Sequence, residues 1–227
     1  MIGYDTASKA EPDLVPRHLD VAGGTGDVAF RSAMALAKSY RSAVKGISDS
    51  IADASSVADH DRQVVVCDIN GDMLRVGRGR VEKAVGVDAS KLIGFVEGNA
   101  EKLPFPDNSF DLYTIAFGLR NVTNKDVALR EAFRVLKTGG RVMIMEFSAV
   151  TNPLLQQVYD QYSFNVIPAI GEVVASDRGS YQYLVESIRK FPKQDELLGM
   201  VRAAGFGCAS YRNMTFGVVA VHSGFKL

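Results

Sequence analysis

Short apolar runs along the chain alternate with longer stretches in which apolar residues recur every three or four positions. His18–Leu19–Asp20–Val21–Ala22 reads as a short strand, stopped by the glycines that follow it. Residues 27–43 place Phe30, Met34 and Ala37 on one side at helical spacing. Gln63–Val64–Val65–Val66–Cys67–Asp68 is the β-branched run of a buried strand. Residues 72–85 return to helical spacing, and 92–98 read as a third strand. The turn Pro106–Asp107–Asn108–Ser109 introduces a fourth, over 110–117. An amphipathic helix over 126–136 follows, with Gly139–Gly140 expected as its C-cap signal, and then a fifth strand over 141–147. Strands alternating with helices predict a parallel sheet with right-handed crossovers.

Two segments break the rhythm. Residues 45–62 shift to Ser, Ala, Asp and Gly and read as an inserted loop, partly disordered. Residues 153–184 are rich in Tyr, Phe and Val and read as helices over the rim of the sheet. A further helix is expected over 195–204, and a closing strand pair over 209–214 and 217–222.

Composition narrows the picture. A chain of 227 residues with 47% apolar positions builds one domain, here taken as 1–227, with a modest cap at most. Its 26 acidic residues balance 26 basic ones, so nothing argues for a nucleic-acid partner or for electrostatic docking on anionic lipid. Two cysteines without CxxC spacing imply neither a disulfide framework nor a zinc site, and no metal is expected. The first 16 residues contain no Arg and three acids, Asp5, Glu11 and Asp13, unlike a matrix-targeting peptide.

The candidate chemistry falls at the carboxyl ends of the predicted strands, where ligands bind in doubly wound sheets. The first element is Asp20–Val21–Ala22–Gly23–Gly24–Thr25–Gly26–Asp27. Its glycines let the backbone turn sharply and approach a ligand with no Cβ in the way. Gly24–Thr25–Gly26–Asp27–Val28–Ala29 also satisfies a dinucleotide fingerprint, which keeps a dehydrogenase reading open. Asp27 speaks against it, because a pyrophosphate needs bare amides at the helix start and a sulfonium cofactor does not. The second element is Asp68, whose carboxylate suits two ribose hydroxyls but equally suits a surface acid. It lies 42 residues after Gly26, and the inserted loop accounts for the long gap. The third is Gly98–Asn99–Ala100–Glu101 with Leu103 and Phe105, read as a polar contact to an adenine edge with two apolar walls, or as an ordinary turn. The fourth is Ala116–Phe117–Gly118–Leu119–Arg120–Asn121–Val122, whose Arg–Asn pair either faces the cleft or caps a helix with Arg120 in a surface ion pair.

Together these elements resemble the class I S-adenosylmethionine methyltransferases, and more narrowly the ubiquinone/menaquinone biosynthesis C-methyltransferase family. LDVAGGTGD, CDIN, LPFPDNSFD, FGLRNVT, RVLKTGGRVMIMEFS, SYQYLVESIRKFP and GVVAVHSG carry the likeness over 18–227. The long segment after the first helix resembles the family's eukaryotic mitochondrial branch. The resemblance implies an α/β fold: a doubly wound, mostly parallel seven-stranded sheet with a partial helical cap, residues 152–190 covering a substrate groove. It implies S-adenosyl-L-methionine as cofactor, contacted by Gly24, Thr25, Gly26, Asp68, Asn99 and Ala100, with Asp20 shaping the methionine end. Ala116 stands where bacterial relatives carry a cofactor-touching Ser, so that contact is expected from backbone. Arg120 and Asn121 are implied as catalytic residues that hold the substrate ring or a relay water.

The implied reaction is methylation of a ring carbon of a polyprenylated benzoquinol, or of demethylmenaquinone. The implied setting is the matrix side of the mitochondrial inner membrane, peripherally bound, among other ubiquinone-biosynthesis enzymes, with a homodimer as a further expectation. Tyr159, Tyr162, Phe164 and Ile167 are expected either to wall a groove for the isoprenoid tail or to pack the core of a cap helix. Relatives also carry N-terminal helices that Tyr4–Asp5 does not continue, so a pocket short of its lid is expected. That leaves a second reading, a catalytically impaired scaffold in a ubiquinone-synthesis complex.

Overall fold

The computed structural model describes residues 16–43, 57–150 and 178–227. Val64, Val65, Val66 and Cys67 have no exposed surface, as expected for a strand covered on both faces. This strand, β2 (Val64–Asp68), pairs in parallel with β1 (His18–Val21) on one side and β3 (Ile93–Glu97) on the other. β1 pairs in parallel with β4 (Phe110–Ala116), and β4 with β5 (Leu136–Phe147). β7 (Val219–Phe225) is antiparallel to both β5 and β6 (Gly207–Met214). Among the described residues this gives one seven-stranded sheet in the order β3-β2-β1-β4-β5-β7-β6. The doubly wound, mostly parallel sheet expected from the sequence is thus present, and the strand order reverses between β1 and β4.

Alternation along the strands sends side chains into two cores. One face of the sheet packs Val64, Val66 and Phe95 under α1 (Asp27–Ala43) and α2 (Gly71–Val85). The other packs Val65, Tyr113, Ile115 and Ile144 under α4 (Lys125–Val135) and α6 (Gln194–Ala203). A short α3 (Val87–Ser90) follows α2. Asn70 caps α2, its side chain accepting from the amides of Asp72 and Met73 at 3.0 and 3.2 Å. No helix among the described residues is long and apolar enough to cross a membrane.

Two local readings need correction. α4 stops at Val135, and Leu136 is already extended (φ −74°, ψ 141°), so Gly139–Gly140 is not its C-cap. Gly139 lies inside β5 with φ +83°, near the register shift against β4, and its amide donates to the Lys226 carbonyl at 2.7 Å. The end of the inserted segment is also structured. Asp59–Asp61 forms a 3₁₀ turn, held by Asp59 against Arg62 at 3.4 Å and Arg78 at 2.5 Å. The part of the expected, partly disordered inserted loop over 45–56 and the expected cap over 152–177, with Tyr159, Tyr162, Phe164 and Ile167, lie outside the described residues; at the end of the expected cap, α5 (Arg178–Lys190) is a helix.

Candidate active site

The site forms where β1, β2, β3 and β4 end. After Val21 the chain passes through Ala22 (φ +50°), Gly24 (φ +55°) and Gly26 (φ +90°) before α1 begins. A Cβ on Gly23 would stand 2.8 Å from Val66 and 2.9 Å from Asp20 Oδ2, so only glycine fits there. The Gly24 amide donates to Asp68 Oδ2 at 2.8 Å, and the Asn70 amide to Asp68 Oδ1 at 2.9 Å. The Gly98 amide donates to the Asp68 carbonyl at 3.0 Å. The glycine turn, Asp68 and the 98–101 turn, three separate motifs in the sequence, are therefore one bonded unit. Asn99 closes the third part: its Oδ1 accepts from the Glu101 amide at 2.9 Å, and its carbonyl accepts from the Lys102 amide at 2.9 Å. Ala100 beside it is buried.

Leu103 and Phe105 do not wall this cavity. Both are about 95% buried in the core, and Phe105 meets Phe110 edge-on with ring centroids 5.1 Å apart. Burial of the two apolar side chains outweighs any exposed role. Asp27 also behaves differently from its reading as a bare charge. Arg80 reaches it at 3.0 Å and donates to Thr25 Oγ1 at 2.9 Å, while Thr25 donates to Asp27 at 3.2 Å. The charge is partly offset, so Asp27 weighs less against a pyrophosphate than its sequence position suggests.

Asp20 is the unusual group. It is 1% exposed, and Thr114 Oγ1 donates to its Oδ1 at 2.6 Å, while Oδ2 is buried without a hydrogen-bond partner. Burial pushes its carboxyl up to about 7. The Thr114 hydroxyl and the amide of Ala29, in the first turn of α1, pull it down, and Asp68 nearby adds to the rise. An unpaired buried acceptor beside a glycine cradle is the pattern of a site that a cation completes. These residues fit an S-adenosyl cofactor: Asp20 for the cationic end, Gly24 to Gly26 for close backbone approach, Asp68 and Asn99 for hydroxyl and base edges.

The second half of the site comes from β4 and β5. Ala116 is half-buried at the end of β4, and Phe117 then turns with φ +55°. A Cβ on Gly118 would lie 2.3 Å from the Ala22 Cβ, so the glycine lets this turn touch the β1–α1 turn directly. The 3₁₀ turn Leu119–Asn121 thereby stands beside the cradle. Arg120 is not an open guanidinium in the cleft. Its Nη1 meets Glu146 Oε1 at 3.1 Å, with side-chain exposures of 13% and 2%, and also donates to the Phe117 carbonyl. The guanidinium lies 5.6 Å from the centre of the Phe147 ring. Glu146 accepts from the Arg120 amide at 3.2 Å and from the Phe147 amide at 2.9 Å. Burial raises the Glu146 carboxyl, and Arg120 with the two amides opposes that rise. Asn121 Oδ1 accepts from the Tyr183 hydroxyl of α5 at 3.5 Å.

Sequence reasoning missed Glu146, Thr114, His18 and Tyr183. Each carried a signal: a polar residue at an inward position of an otherwise apolar strand, or a tyrosine on the face of a helix that meets the Arg–Asn turn. Among the described residues, no group of three His, Cys, Asp or Glu side chains could hold a metal ion.

Comparison with solved structures places the fold. A methyltransferase from Thermotoga maritima, described as S-adenosylmethionine-dependent and a possible histamine N-methyltransferase, matches with a TM-score of 0.58 at 17% identity, covering 93% of this chain and 82% of that one. The [4+2]-cyclase SpnF matches with a TM-score of 0.56 at 20% identity, over 89% of this chain and 56% of the cyclase. A cyclase on the same frame shows that architecture alone does not choose the chemistry. The class is nevertheless clear from sequence and site together: an S-adenosylmethionine-dependent methyltransferase. Residues 5–226 match the model of the ubiE/COQ5 methyltransferase family, and the chain belongs to that family. The mitochondrial 2-methoxy-6-polyprenyl-1,4-benzoquinol methylase of Gallus gallus is 52% identical over an alignment of 222 positions that covers 92% of this chain and 70% of the relative. The ubiquinone/menaquinone biosynthesis C-methyltransferase UbiE of Brucella abortus (strain S19) is 53% identical over 209 residues, 92% of this chain and 68% of the relative.

Proposed function

We propose that this chain methylates a ring carbon of a polyprenylated methoxy-benzoquinol in ubiquinone biosynthesis. The observation that carries the reading is the contact between the Gly118 turn and Ala22, which sets Arg120 and Asn121 beside the cofactor cradle, in a chain half-identical to benzoquinol methylases. Bound S-adenosylmethionine supplies an electrophilic methyl group. The protein's own residues supply the rest. Asp20 offers an unpaired oxygen to the cationic end of the cofactor, Gly24, Thr25 and Gly26 admit it, and Asp68, Asn99 and Ala100 hold its adenosine. The backbone at Ala116 lines its other side.

A hydroquinone carbon becomes nucleophilic as a ring hydroxyl loses its proton. We assign the stabilising of the resulting oxyanion to Asn121 directly and to Arg120, whose guanidinium is turned onto Glu146, through a water. Glu146 keeps the Arg120 guanidinium fixed, so stabilisation by Arg120 acts from a held position rather than by a swinging side chain. The Tyr183 bond to Asn121 Oδ1 turns the amide so that its Nδ2 donors face away from α5. Within a single domain, α5 borders the substrate side through its contact with the Arg–Asn turn.

The matching relatives named as mitochondrial support a mitochondrial setting, and we place the chain peripherally at the matrix side of the inner membrane, beside other ubiquinone-biosynthesis enzymes and as a homodimer. Demethylmenaquinone is the second substrate reading, favoured by the relatives named for both quinones. Label transfer from methyl-labelled S-adenosylmethionine to a short-tailed demethylated quinol tests the activity. Arg120→Ala is expected to abolish transfer while cofactor affinity stays within about twofold by titration calorimetry. An intact fold that binds cofactor but transfers no label to either quinol would favour the scaffold reading instead.

A further inference from the structure

A chain of buried hydrogen bonds runs away from the site behind Asp20. Thr114 Oγ1 lies 2.6 Å from Asp20 Oδ1 and 2.7 Å from His18 Nε2, and His18 Nδ1 lies 2.9 Å from Ser32 Oγ. The four residues come from β1, β4 and α1, on one face of the sheet. Asp20 and His18 are 1% and 3% exposed, whereas Ser32 is half-buried at the edge of α1's buried face, beside exposed Arg31 and Ala35. The chain of bonds therefore connects the floor of the cofactor cradle to the surface of a helix.

Its polarity is reversible. With Asp20 ionised, Thr114 gives its one proton to the carboxylate, Thr114 accepts from His18 Nε2–H, and His18 Nδ1 accepts from the Ser32 hydroxyl. With Asp20 protonated on Oδ1, every bond reverses: Asp20 donates to Thr114, Thr114 to Nε2, and Nδ1–H to Ser32. The two states differ by one proton. It enters at Ser32 from water as the Ser32 proton moves to Nδ1, the Nε2 proton to Thr114 and the Thr114 proton to Asp20. No imidazolium appears in either state, only the other tautomer.

We propose that Thr114, His18 and Ser32 are positioning residues that form a proton relay, setting the charge of Asp20 and releasing its proton at the α1 surface when the cationic end of the cofactor docks. The proposal rests on Asp20 as a cofactor contact, the reading given above. Burial favours it independently, holding His18 neutral with its pKa lowered to about 4, and leaving Asp20 at about 7, poised between its two forms. The other groups that act on Asp20 are Asp68 from β2 and the Ala29 amide, and its field in turn reaches Tyr113. Tyr113 and Cys67 are kept protonated by burial, the latter shifted up to about 12, so neither competes for the proton.

Imidazole nitrogen NMR of the cofactor-free protein between about pH 5.5 and 8.5 tests the relay without any ligand. His18 is expected to stay neutral and pass from the Nδ1–H to the Nε2–H tautomer near pH 7. One fixed tautomer across that range, or conversion to imidazolium, overturns the relay. Titration calorimetry with S-adenosylmethionine, in buffers of different ionisation heat, should then show proton release on binding below about pH 7. In near-isosteric Thr114→Val the pH midpoint of affinity should rise by about one unit, which is about fivefold weaker binding at about pH 7 and about tenfold at about pH 6, with recovery by about pH 9. An equal loss at every pH would mean that Thr114 only packs, and would sink the proposal. If the wild type bound no S-adenosylmethionine, the cofactor reading would fail, and the tautomer exchange would still decide the relay.

Discussion

Two carboxylates lie buried at the ends of strands in this sheet, each 1% exposed, and they are partnered in opposite ways. Glu146 on β5 has a guanidinium and two backbone amides. Asp20 on β1 has the Thr114 hydroxyl on one oxygen, no hydrogen-bond partner on the other, and besides these only the pull of the Ala29 amide. Burying a charge is costly unless it is paired and hydrogen-bonded, so Glu146 is a completed anchor while Asp20 is an open valence. The difference separates the part of the site that holds its own residues in place from the part that waits for a ligand.

Breaking the Glu146–Arg120 pair should have the largest effect. Glu146→Ala leaves the Arg120 guanidinium buried and uncompensated, and should cost roughly 3–5 kcal/mol of stability, read as a shift in the urea midpoint. Glu146→Gln keeps an acceptor for the amides and should cost less, about 1–3 kcal/mol. If both variants melted like the wild type, the pair would be a bystander.

Asp20 should respond with the opposite sign. Its acidity is weakened by folding, so the native state holds more protons than the unfolded chain between about pH 4 and 7. Stability from this group is present at low pH and lost as the pH rises through about 7, where the full cost of the buried charge appears. Asp20→Asn removes that cost and should stabilise the cofactor-free protein at about pH 8 by roughly 2 kcal/mol, with much less change at about pH 5. The same change should weaken S-adenosylmethionine binding by at least about tenfold. Equal melting shifts at the two pH values would contradict the burial argument. A site residue that lowers stability until its ligand arrives is the expected trade between function and stability.

Gly118 links the two regions, and its replacement should fall next in size. An added Cβ meets Ala22 at 2.3 Å, backbone-bound on both sides, so one turn has to move. Gly118→Ala should cost about 1–3 kcal/mol and weaken both cofactor affinity and transfer, because both turns border the cradle. Loss of transfer alone, at full cofactor affinity, would show that the β1–α1 turn does not feel the contact.

Most of this frame is legible in the order of residues along the chain. The bounds of α1 follow directly from its helical spacing, and β2 from its valines, because one core covers each of those faces. The family motifs also locate the glycine turn, Asp68 and the Arg–Asn turn. What is not legible there depends on contacts across the sheet. That Gly24 and Asp68 share a hydrogen bond, that Arg120 folds onto Glu146 rather than into the cleft, and that Arg80 offsets Asp27 all arise from residues 26 to 53 positions apart. Leu103 and Phe105 mislead because apolar residues near a site look alike whether they wall it or leave it for the core. His18 is hidden as a strand residue, and only its register beside Leu112 on β4, two residues before Thr114, reveals the chain of bonds.

The smallest effect concerns the partner of Asn121. The Tyr183 hydroxyl lies 3.5 Å from Asn121 Oδ1, at the long end of hydrogen-bond geometry, and Tyr183 is 61% exposed. Such a bond contributes little to folding, about 0.5 kcal/mol, so Tyr183→Phe should melt like the wild type. Its value lies in orientation: without the hydroxyl the Asn121 amide is free to flip, and a donor that faces the ring oxygen half the time stabilises half as well. Tyr183→Phe should therefore lower kcat about twofold with cofactor affinity unchanged, measured by steady-state label transfer. A raised KM for the quinol at unchanged kcat would instead make Tyr183 a binding surface. Asn121→Asp gives the sharper contrast, since it removes the donors whichever way the group points and should lower transfer far more than the loss of the tyrosine hydroxyl.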